Sequence, residues 1–296
     1  MPVSLISLLR RLVIIGVALL LLTGCSALRL GYSNGPQLAW WWLDGYVDFS
    51  SEQAPQVKAA LAQWFEWHRK TQLPEAATLL ASAAVQVGEP TTAAAVCRWQ
   101  QVLAEQLDPA VERALQHGAD LLPGLGEPQF RHLEQRYAKS NAEMRADFAQ
   151  AAPAERLKAS IERAIERSEM LYGKLDEPQR RIIVAGVTAS PFDADGWLAE
   201  IERRQRETLQ TLRRLTAEKA DRDQRLTALR ALAEGYQNSS SPTYRAYRAR
   251  LTDHNCALAA QVHNATTPAQ RASARDKLKG WEADVRSLVA QRPEGG

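Results

Sequence analysis

Beyond residue 26, apolar residues recur every three to four positions between polar ones, which is the spacing of amphipathic helices. Ala, Leu, Gln, Arg and Glu are abundant and runs of Val, Ile and Thr are few, a balance that favours helix over strand. Prolines preceded by Asp, Glu or Thr recur along the chain, and each suits the first turn of a helix. They are Pro90, Pro109, Pro128, Pro178 and Pro268. We predict helices at residues 36–48, 51–71, 74–87, 91–118, 127–150, 153–174, 177–187, 194–235, 241–264 and 268–291.

One segment has the composition of a strand, residues 182–187 (IIVAGV). Because it is short and isolated, it cannot build a sheet, and we expect a buried helix end there. The chain is therefore predicted to be all-α, an irregular multi-helix bundle. We expect residues 36–292 to form a single helical domain, with a candidate sub-boundary near 188–194, where Pro191 interrupts the helical pattern.

The longest predicted helix is amphipathic and runs from Asp195 to Tyr236. Its leucines keep one helical stripe, which Lys219 and Arg222 interrupt before Leu226 resumes it. An amphipathic helix with opposite charges on its outer face accounts for this pattern. A coiled-coil partner surface is the alternative, and the break at Lys219 argues against it.

The first 26 residues have the layout of a secretory signal. Arg10 and Arg11 precede an apolar stretch at residues 12–22 (LVIIGVALLLL), and small residues follow it. A helix of that length rises roughly 16 Å, whereas the hydrocarbon layer of a membrane is about 30 Å thick. We therefore expect residues 1–24 to be a signal peptide and not a membrane-spanning helix.

The tetrad at residues 22–25 (LTGC) resembles the bacterial lipobox, which is Leu, a small residue, Gly or Ala, and Cys. The resemblance implies that the Cys25 thiolate receives a diacylglyceryl group and that the chain is cut between Gly24 and Cys25. The new amine is then acylated, for example with palmitate, and several acyl chains hold a protein on a membrane far more firmly than one. Residues 25–35 would form a lipidated tether. An ordinary signal peptide with a chance cysteine is the alternative.

Ser26, directly after Cys25, bears on which membrane holds the protein. In many double-membrane bacteria, Asp at this place retains a lipoprotein in the inner membrane, whereas Ser permits export to the outer membrane. By this resemblance we expect a lipid anchor in the outer membrane and a chain that faces the periplasm. The inner membrane is the alternative.

Three consecutive tryptophans follow some fifteen residues later: Trp40, Trp41 and Trp42, with Tyr46 one turn further on. Consecutive helical residues point about 100° apart, so the three cannot enter one core face. At least one should be exposed, bound to membrane headgroups or packed on another segment, and aromatic rings with a polar group favour a membrane interface. The alternative, that a large helical domain covers all of them, is the simpler expectation.

Charge and candidate catalytic residues narrow the function further. The formal charge is +3 and falls by two when Arg10 and Arg11 leave with the leader, so we expect no nucleic-acid partner. His68 lies one turn after Trp64 and could act as a general base, but no neighbouring residue completes a triad, which favours a packed core histidine. The sequence has no metal-ligand spacing and no phosphate-binding loop, so we expect neither a metal nor a cofactor.

Cys97 and Cys256 remain once Cys25 carries lipid. Two cysteines in an oxidising compartment predict one disulfide, and two buried thiols are the alternative. A bond requires Cα atoms within about 7 Å. The predicted helix at 91–118 would then pack beside the helix at 241–264.

Several segments together resemble a family of proteobacterial lipoproteins of unknown function. They are the lipobox at 22–25, LGYSN at 30–34, WWLDGYVDF at 41–49, WFEWHR at 64–69, LYGKLD at 171–176, SPFD at 190–193 and TTPAQR at 266–271. The resemblance covers nearly the whole chain after the leader. It implies lipidation and a helical fold, and it carries over no catalytic residue.

The leading hypothesis from the sequence is a non-enzymatic, lipid-anchored helical protein that binds or supports another component of the cell envelope. Its expected partners are the membrane, through the N-terminal lipid, and an envelope protein. The alternative is an envelope hydrolase with a site near His68. A deep cavity that holds His68 with two converging polar groups would favour the enzyme, and a filled aromatic core would favour the binding protein.

Overall fold

The computed structural model describes residues 27–150 and 152–291, which are helical apart from short connections. The predicted signal peptide, Cys25 and the cleavage site at Gly24 lie outside these residues. The described part contains no strand, which confirms the all-α prediction, and none of its helices is long and apolar enough to cross a membrane. Its α-helices are α1 (Ala27–Ser33), α2 (Gly35–Val47), α3 (Ala54–Gln86), α4 (Ala93–Glu105), α5 (Asp108–Leu121), α6 (Glu127–Phe148), α7 (Pro153–Tyr172), α8 (Glu177–Thr188), α9 (Ala194–Ala217), α10 (Arg222–Gln237), α11 (Pro242–Asn264) and α12 (Pro268–Ala290), with a 3-10 turn at Leu122–Gly124.

Helix starts follow the chemistry that the sequence predicts. Proline lies in the first turn of eight of the twelve described α-helices. Asp221 and Thr267 cap α10 and α12, because each side chain accepts a hydrogen bond from the backbone N–H of a Gln three residues later. That Gln in turn accepts a hydrogen bond from the capping residue's own N–H. The run at 182–187 lies within α8 with Ile183 buried, so the prediction of a helix there is confirmed.

The helices of the second half of the chain pair with those of the first half in reverse order. α12 packs on α3, α11 on α4, α10 on α5, α9 on α6 and α8 on α7. The chain therefore folds back on itself at the connection between α7 and α8. Gly173 ends α7 with a φ of 78°, a left-handed conformation that favours glycine, and so begins this reversal.

The buried core is divided among the interfaces of these nested pairs. One cluster lies between α6 and α9, a second between α3 and α12, and a third where the reversal meets α8 and α11. Their buried members include Phe130, Leu133 and Leu209; Leu73, Ala77, Val285 and Leu288; and Leu175, Ile183 and Val262. Two of the nested pairs, α3–α12 and α6–α9, thus each have an apolar cluster of their own.

α1 and α2 precede the nested pairs and lie against them. α1 contacts α12, and α2 contacts both α3 and α6. Gly35, at the start of α2, lies so close to the ring of Phe65 on α3 that a side chain there would collide with it. The Arg29 guanidinium on α1 lies 3.2 Å from the Asp284 carboxylate on α12. These contacts fix which side of α2 faces the bundle.

The structure corrects the prediction of two helices at 51–71 and 74–87. A single helix, α3, runs through both segments with Pro74 inside it. Proline lacks the N–H that would bond one turn back and therefore breaks most helices. Leu73 and Ala77, on either side of Pro74, are buried against α12, and this packing keeps the helix continuous.

The helix predicted at 91–118 is two helices, α4 and α5, joined through Gln106 and Leu107. Pro109, in the first turn of α5, cannot donate the N–H that would extend α4. At the other end, α4 begins after Thr92, whose hydroxyl accepts a hydrogen bond from the N–H of the third following residue at 3.2 Å.

The long amphipathic helix predicted from Asp195 to Tyr236 is also two helices, α9 and α10. Lys219 takes a left-handed conformation with a φ of 49°, and Asp221 caps the second helix. The break falls where Lys219 and Arg222 interrupt the leucine stripe, because an apolar face does not continue through two exposed cations. The longest helix of the described part is α3 instead.

A disulfide joins α4 to α11. The Cα atoms of Cys97 and Cys256 are 5.5 Å apart across 159 residues of sequence. Two hydrogen bonds between Thr91 and Asn264, of 2.9 and 2.8 Å, connect the same two parts of the chain. The bridge therefore lies within one of the nested helix pairs.

Peptide mapping without reduction, after free thiols are blocked, should recover Cys97 and Cys256 in one cross-linked fragment. Replacing both by Ala should lower the free energy of unfolding by about 2–5 kcal/mol, because the bridge closes a long loop and restricts the unfolded chain. Urea unfolding of the oxidised protein and of the double variant measures the difference. Recovery of both residues as alkylated thiols would disprove the bridge, and equal unfolding free energies would disprove its stabilising effect.

Candidate functional site

α2 divides its three tryptophans between the bundle and the solvent. Trp40 is 8% exposed, whereas Trp41 and Trp42 are 61% and 62% exposed. Leu38 lies on the same face as Trp41 and Trp42 by helical spacing, and it is exposed as well. The helical domain therefore does not cover all three rings, and the expectation of complete burial is wrong.

Trp40 attaches α2 to the bundle. Its ring stacks on Phe49 with the centroids 5.7 Å apart, and the ammonium group of Lys58 on α3 lies 4.7 Å from the centroid of the Trp40 ring. Because successive helical residues diverge by about 100°, burial of Trp40 turns Trp41 and Trp42 away from the bundle.

The motif that follows the tryptophans shapes the end of α2. The Asp44 carboxylate accepts a hydrogen bond from the backbone N–H of Phe49 at 3.1 Å. Asp48 ends the helix in a left-handed conformation with a φ of 58°. The Gly45 carbonyl lies 3.3 Å from Nε2 of His132 on α6, 87 residues away in sequence. These contacts bring the C-terminal end of α2 against α6.

A groove of about 510 Å³ lies between α2 and α6, and we call it the α2–α6 groove. Trp41, Trp42 and Tyr46 form its α2 side. Arg136 and Lys139 line the α6 side, and the Arg136 guanidinium lies 4.9 Å from the centroid of the Tyr46 ring. Aromatic and cationic side chains thus share one surface.

This surface has the chemistry to contact an anionic, amphipathic layer. Trp and Tyr rings with a polar N–H or O–H group favour the boundary between water and hydrocarbon, and guanidinium and ammonium groups bind phosphate. The aromatic residues Trp41, Trp42 and Tyr46 were recognisable in the sequence, whereas Arg136 and Lys139 were not. Their spacing of three residues indicates one helix face, but only the fold brings that face to α2.

His68 lies inside an aromatic cluster on α3. Trp64 stacks on its ring with the centroids 4.8 Å apart, and the Tyr32 hydroxyl lies 3.0 Å from its Nδ1. The Trp64 indole N–H donates a hydrogen bond to the carbonyl of Ala110 on α5 at 3.0 Å. The cluster therefore joins α1, α3 and α5.

Burial controls the protonation of this cluster. It raises the pKa of Tyr32 to about 12, against a smaller opposing effect of Arg69, and it lowers the pKa of His68. Near pH 7, Tyr32 is a neutral hydroxyl and His68 a neutral ring, so the two can share a hydrogen bond. His68 lines neither the α2–α6 groove nor the other two surface cavities that stand out in the described residues.

Two further histidines, His254 and His263, connect helices. His254 Nε2 lies 2.8 Å from the Gly186 carbonyl, and His263 lies between the Glu89 carbonyl and the Tyr172 hydroxyl, 2.8 Å from each. Across residues 27–150 and 152–291, no three or more His, Cys, Asp or Glu side chains are grouped so as to hold a metal ion.

The free energy of unfolding should fall as the pH drops below about 6.5, the ordinary pKa of histidine. Because burial lowers the pKa of folded His68, protonation favours the unfolded chain; the stabilisation is complete above the unfolded pKa and is lost as the pH falls below it. Urea unfolding at pH 7.5 and 5.5 should show a weaker pH dependence in His68→Gln than in the wild type.

His117→Gln should remove a further part of this pH dependence, because burial lowers the pKa of His117 as well. Gln135→Ala, at an exposed position of α6 that carries no titratable group, is the control and should unfold with the pH dependence of the wild type. An unchanged pH dependence in His68→Gln would contradict the buried, neutral state of this ring.

Comparison with known proteins identifies a family but no function. The family of unknown function (DUF6279) matches residues 45–245, from the last turn of α2 to the first turn of α11. No curated protein and no solved structure matches the chain. Since the matched segment spans more than half of the sequence, the protein belongs to this family of unknown function.

Proposed function

We propose that the protein is a lipid-anchored, periplasm-facing helical component of the cell envelope. It lies on the membrane through the exposed face of α2 and binds or supports another envelope component. The observation that carries the proposal is the exposure of Trp41 and Trp42 beside Arg136 and Lys139. Large exposed aromatic surfaces are uncommon where a protein meets only water, and a membrane would cover this one.

The lipobox at residues 22–25 supplies the anchor in this proposal. α1 begins two residues after Cys25, and Trp41 lies fourteen residues beyond the start of α1. At about 1.5 Å per helical residue and about 3.5 Å per extended one, Trp41 lies at most roughly 30 Å from an acylated Cys25. The anchor would therefore keep the α2 face within reach of the bilayer surface.

In this proposal the acyl chains attach the protein to the membrane, and the exposed face of α2 orients it there. Acyl chains contribute about 0.8 kcal/mol per buried methylene and hold the protein on the membrane. Indole rings lie at the level of the headgroups, and each cation near an anionic surface contributes about 1 kcal/mol. Trp41 and Trp42, together with Arg136 and Lys139, would therefore orient the bundle on the membrane.

Three features support a location at the periplasmic face of the outer membrane. Ser26 after the lipobox resembles the residue that permits export to the outer membrane, and the segments quoted above resemble proteobacterial lipoproteins. The disulfide between Cys97 and Cys256 fits the oxidising periplasm, where such bonds persist.

No observation favours the alternative of an envelope hydrolase at His68. A general base needs a cavity in which polar groups converge on a substrate. His68 instead stacks on Trp64 and bonds to Tyr32. We therefore propose the binding role alone.

Replacing Cys25 by Ala should abolish labelling of the protein with palmitate and leave the precursor uncleaved or released from membranes, because the thiolate that accepts the lipid is gone. Palmitate labelling and membrane sedimentation in a double-membrane bacterium measure both effects. The double variant Cys97→Ala/Cys256→Ala is the control and should be labelled like the wild type. Normal processing and sedimentation of Cys25→Ala would disprove the anchor.

Contact between α2 and the membrane is testable by fluorescence quenching in vesicles that carry the lipidated full chain. Lipids brominated near the headgroup should quench part of the tryptophan emission, and Trp41→Phe/Trp42→Phe should remove most of the quenchable part. Anionic vesicles should increase quenching over neutral ones, and Arg136→Gln/Lys139→Gln should abolish that increase.

Trp281→Phe is the matched control, since Trp281 is also partly exposed but lies on α12. It should leave the quenchable part of the emission nearly unchanged. Quenching that survives in Trp41→Phe/Trp42→Phe, or that falls equally in Trp281→Phe, would show that α2 does not face the membrane.

A further inference from the structure

A second groove lies between α7, α11 and the start of α9, and we call it the α7 groove. Its volume is about 620 Å³, within the range of small-molecule sites. Phe192 and Trp197 line one side with their ring centroids 6.1 Å apart, and Phe148 lies 5.2 Å from Trp197. Leu258 on α11 adds an aliphatic surface. The groove therefore offers aromatic and apolar contacts to a ligand.

Three arginines of α7 line this groove in a row. Arg156, Ser160, Arg163 and Arg167 are spaced by four, three and four residues, so they share one face of the helix. The row extends about 16 Å along α7. Because no residue of α7 is fully buried, this face borders the groove and not a packed core.

The protein itself satisfies these arginines unequally. Arg156 donates a hydrogen bond to the Gln150 carbonyl at 2.8 Å, and Arg163 donates to the Asp147 carbonyl at 3.2 Å. Arg167 makes no hydrogen bond or ion pair with the described residues. Arg163 and Arg167 lie one helical turn apart, where like charges repel. An anion bound beside them would relieve that repulsion.

Two carboxylates also line the groove, and both interact elsewhere. Asp193 caps α9 by accepting a hydrogen bond from the Gly196 N–H at 3.1 Å. The Asp195 carboxylate lies 3.6 Å from the Arg145 guanidinium on α6. Neither carboxylate forms an ion pair with an arginine of α7 among the described residues, so the row is not internally neutralised.

We propose that the α7 groove binds an amphiphilic anion, a single acyl chain that carries a phosphate or carboxylate group. The arginine row binds the anionic group, and Arg167 supplies donors that no described residue uses. Phe192, Trp197 and Leu258 contact the acyl chain. The site lies apart from the α2–α6 groove, and binding there does not depend on the lipid anchor.

The composition of the groove selects this class of ligand. Free phosphate would leave the rings of Phe192 and Trp197 in water, and a neutral acyl chain would leave Arg167 without a partner among the described residues. An extended peptide needs backbone partners, which the helices around the groove have already used within themselves. The row spans only about three helical turns, a length that suits one small amphiphile.

The test uses the full chain in phosphatidylcholine vesicles and a dodecyl phosphate that carries a photoreactive diazirine in its chain. Irradiation and peptide mapping locate the attachment, and titration gives the half-saturating concentration. We expect saturable labelling of peptides that contain Leu157, Trp197 or Leu258. Excess dodecyl phosphate should prevent this labelling, whereas dodecyl maltoside and inorganic phosphate should not.

Arg167→Gln should raise the half-saturating concentration about tenfold, the effect of one lost charge-assisted hydrogen bond, and Arg167→Glu should raise it further. Because Arg167 has no partner among the described residues, neither change should alter circular dichroism or thermal unfolding. Arg206→Gln changes an exposed arginine of α9 outside the groove, and this control should be labelled like the wild type.

Labelling that does not saturate, that maps to peptides outside the groove, or that is equal in Arg167→Glu and the wild type would overturn the proposal. Competition by dodecyl maltoside as strong as that by dodecyl phosphate would show that the chain alone is bound. Equal competition by inorganic phosphate would show that the anion alone is bound. Either result would also overturn it.

Discussion

The reversal of the chain at Gly173 is the constraint on which the rest of the structure depends. Because the helices after it pair with those before it in reverse order, each helix from α3 to α12 has a main partner in the other half of the chain. The outer pairs close long loops. The loss of chain entropy on closing a long loop opposes folding until the contacts of the pair have formed. The disulfide of Cys97 and Cys256 and the bonded pair of Thr91 and Asn264 connect α4 to α11, one of these outer pairs.

Charge, as well as apolar packing, specifies how α9 meets the connection between α10 and α11. Hydrogen bonds from Arg203, Ser239 and Arg204 lower the pKa of the buried Glu200 carboxyl to about 2, with those from Arg203 contributing most. The Arg204 guanidinium also lies 5.1 Å from the centroid of the Tyr236 ring. A buried ion pair adds little net stability, but any packing that separates its members is strongly unfavourable. The cluster therefore determines which segments meet.

Local signals in the sequence predicted most of the helices, and contacts distant in sequence decided the rest. A cap such as Thr267 acts within one turn, so the pattern of neighbouring residues is sufficient to place a helix start. Pro74 misled the prediction because α12, near the other end of the chain, buries its neighbours and holds α3 together. The α2–α6 groove likewise combines residues that local sequence reveals with residues that only a distant contact brings near. Trp41 and Trp42 stood out in the sequence, whereas Arg136 joins them only through the contact of α6 with α2.

α6 connects the two surfaces for which we propose ligands. Arg136 lines the α2–α6 groove and Phe148 lines the α7 groove, twelve residues further along the same helix, a rise of about 18 Å. A continuous helix holds that separation, so the orientation of α2 on a membrane would also set the distance of the α7 groove from the bilayer surface. Contact through Trp41 and Trp42 would therefore keep Phe148, at the edge of the α7 groove, within about 18 Å of the surface that meets the headgroups.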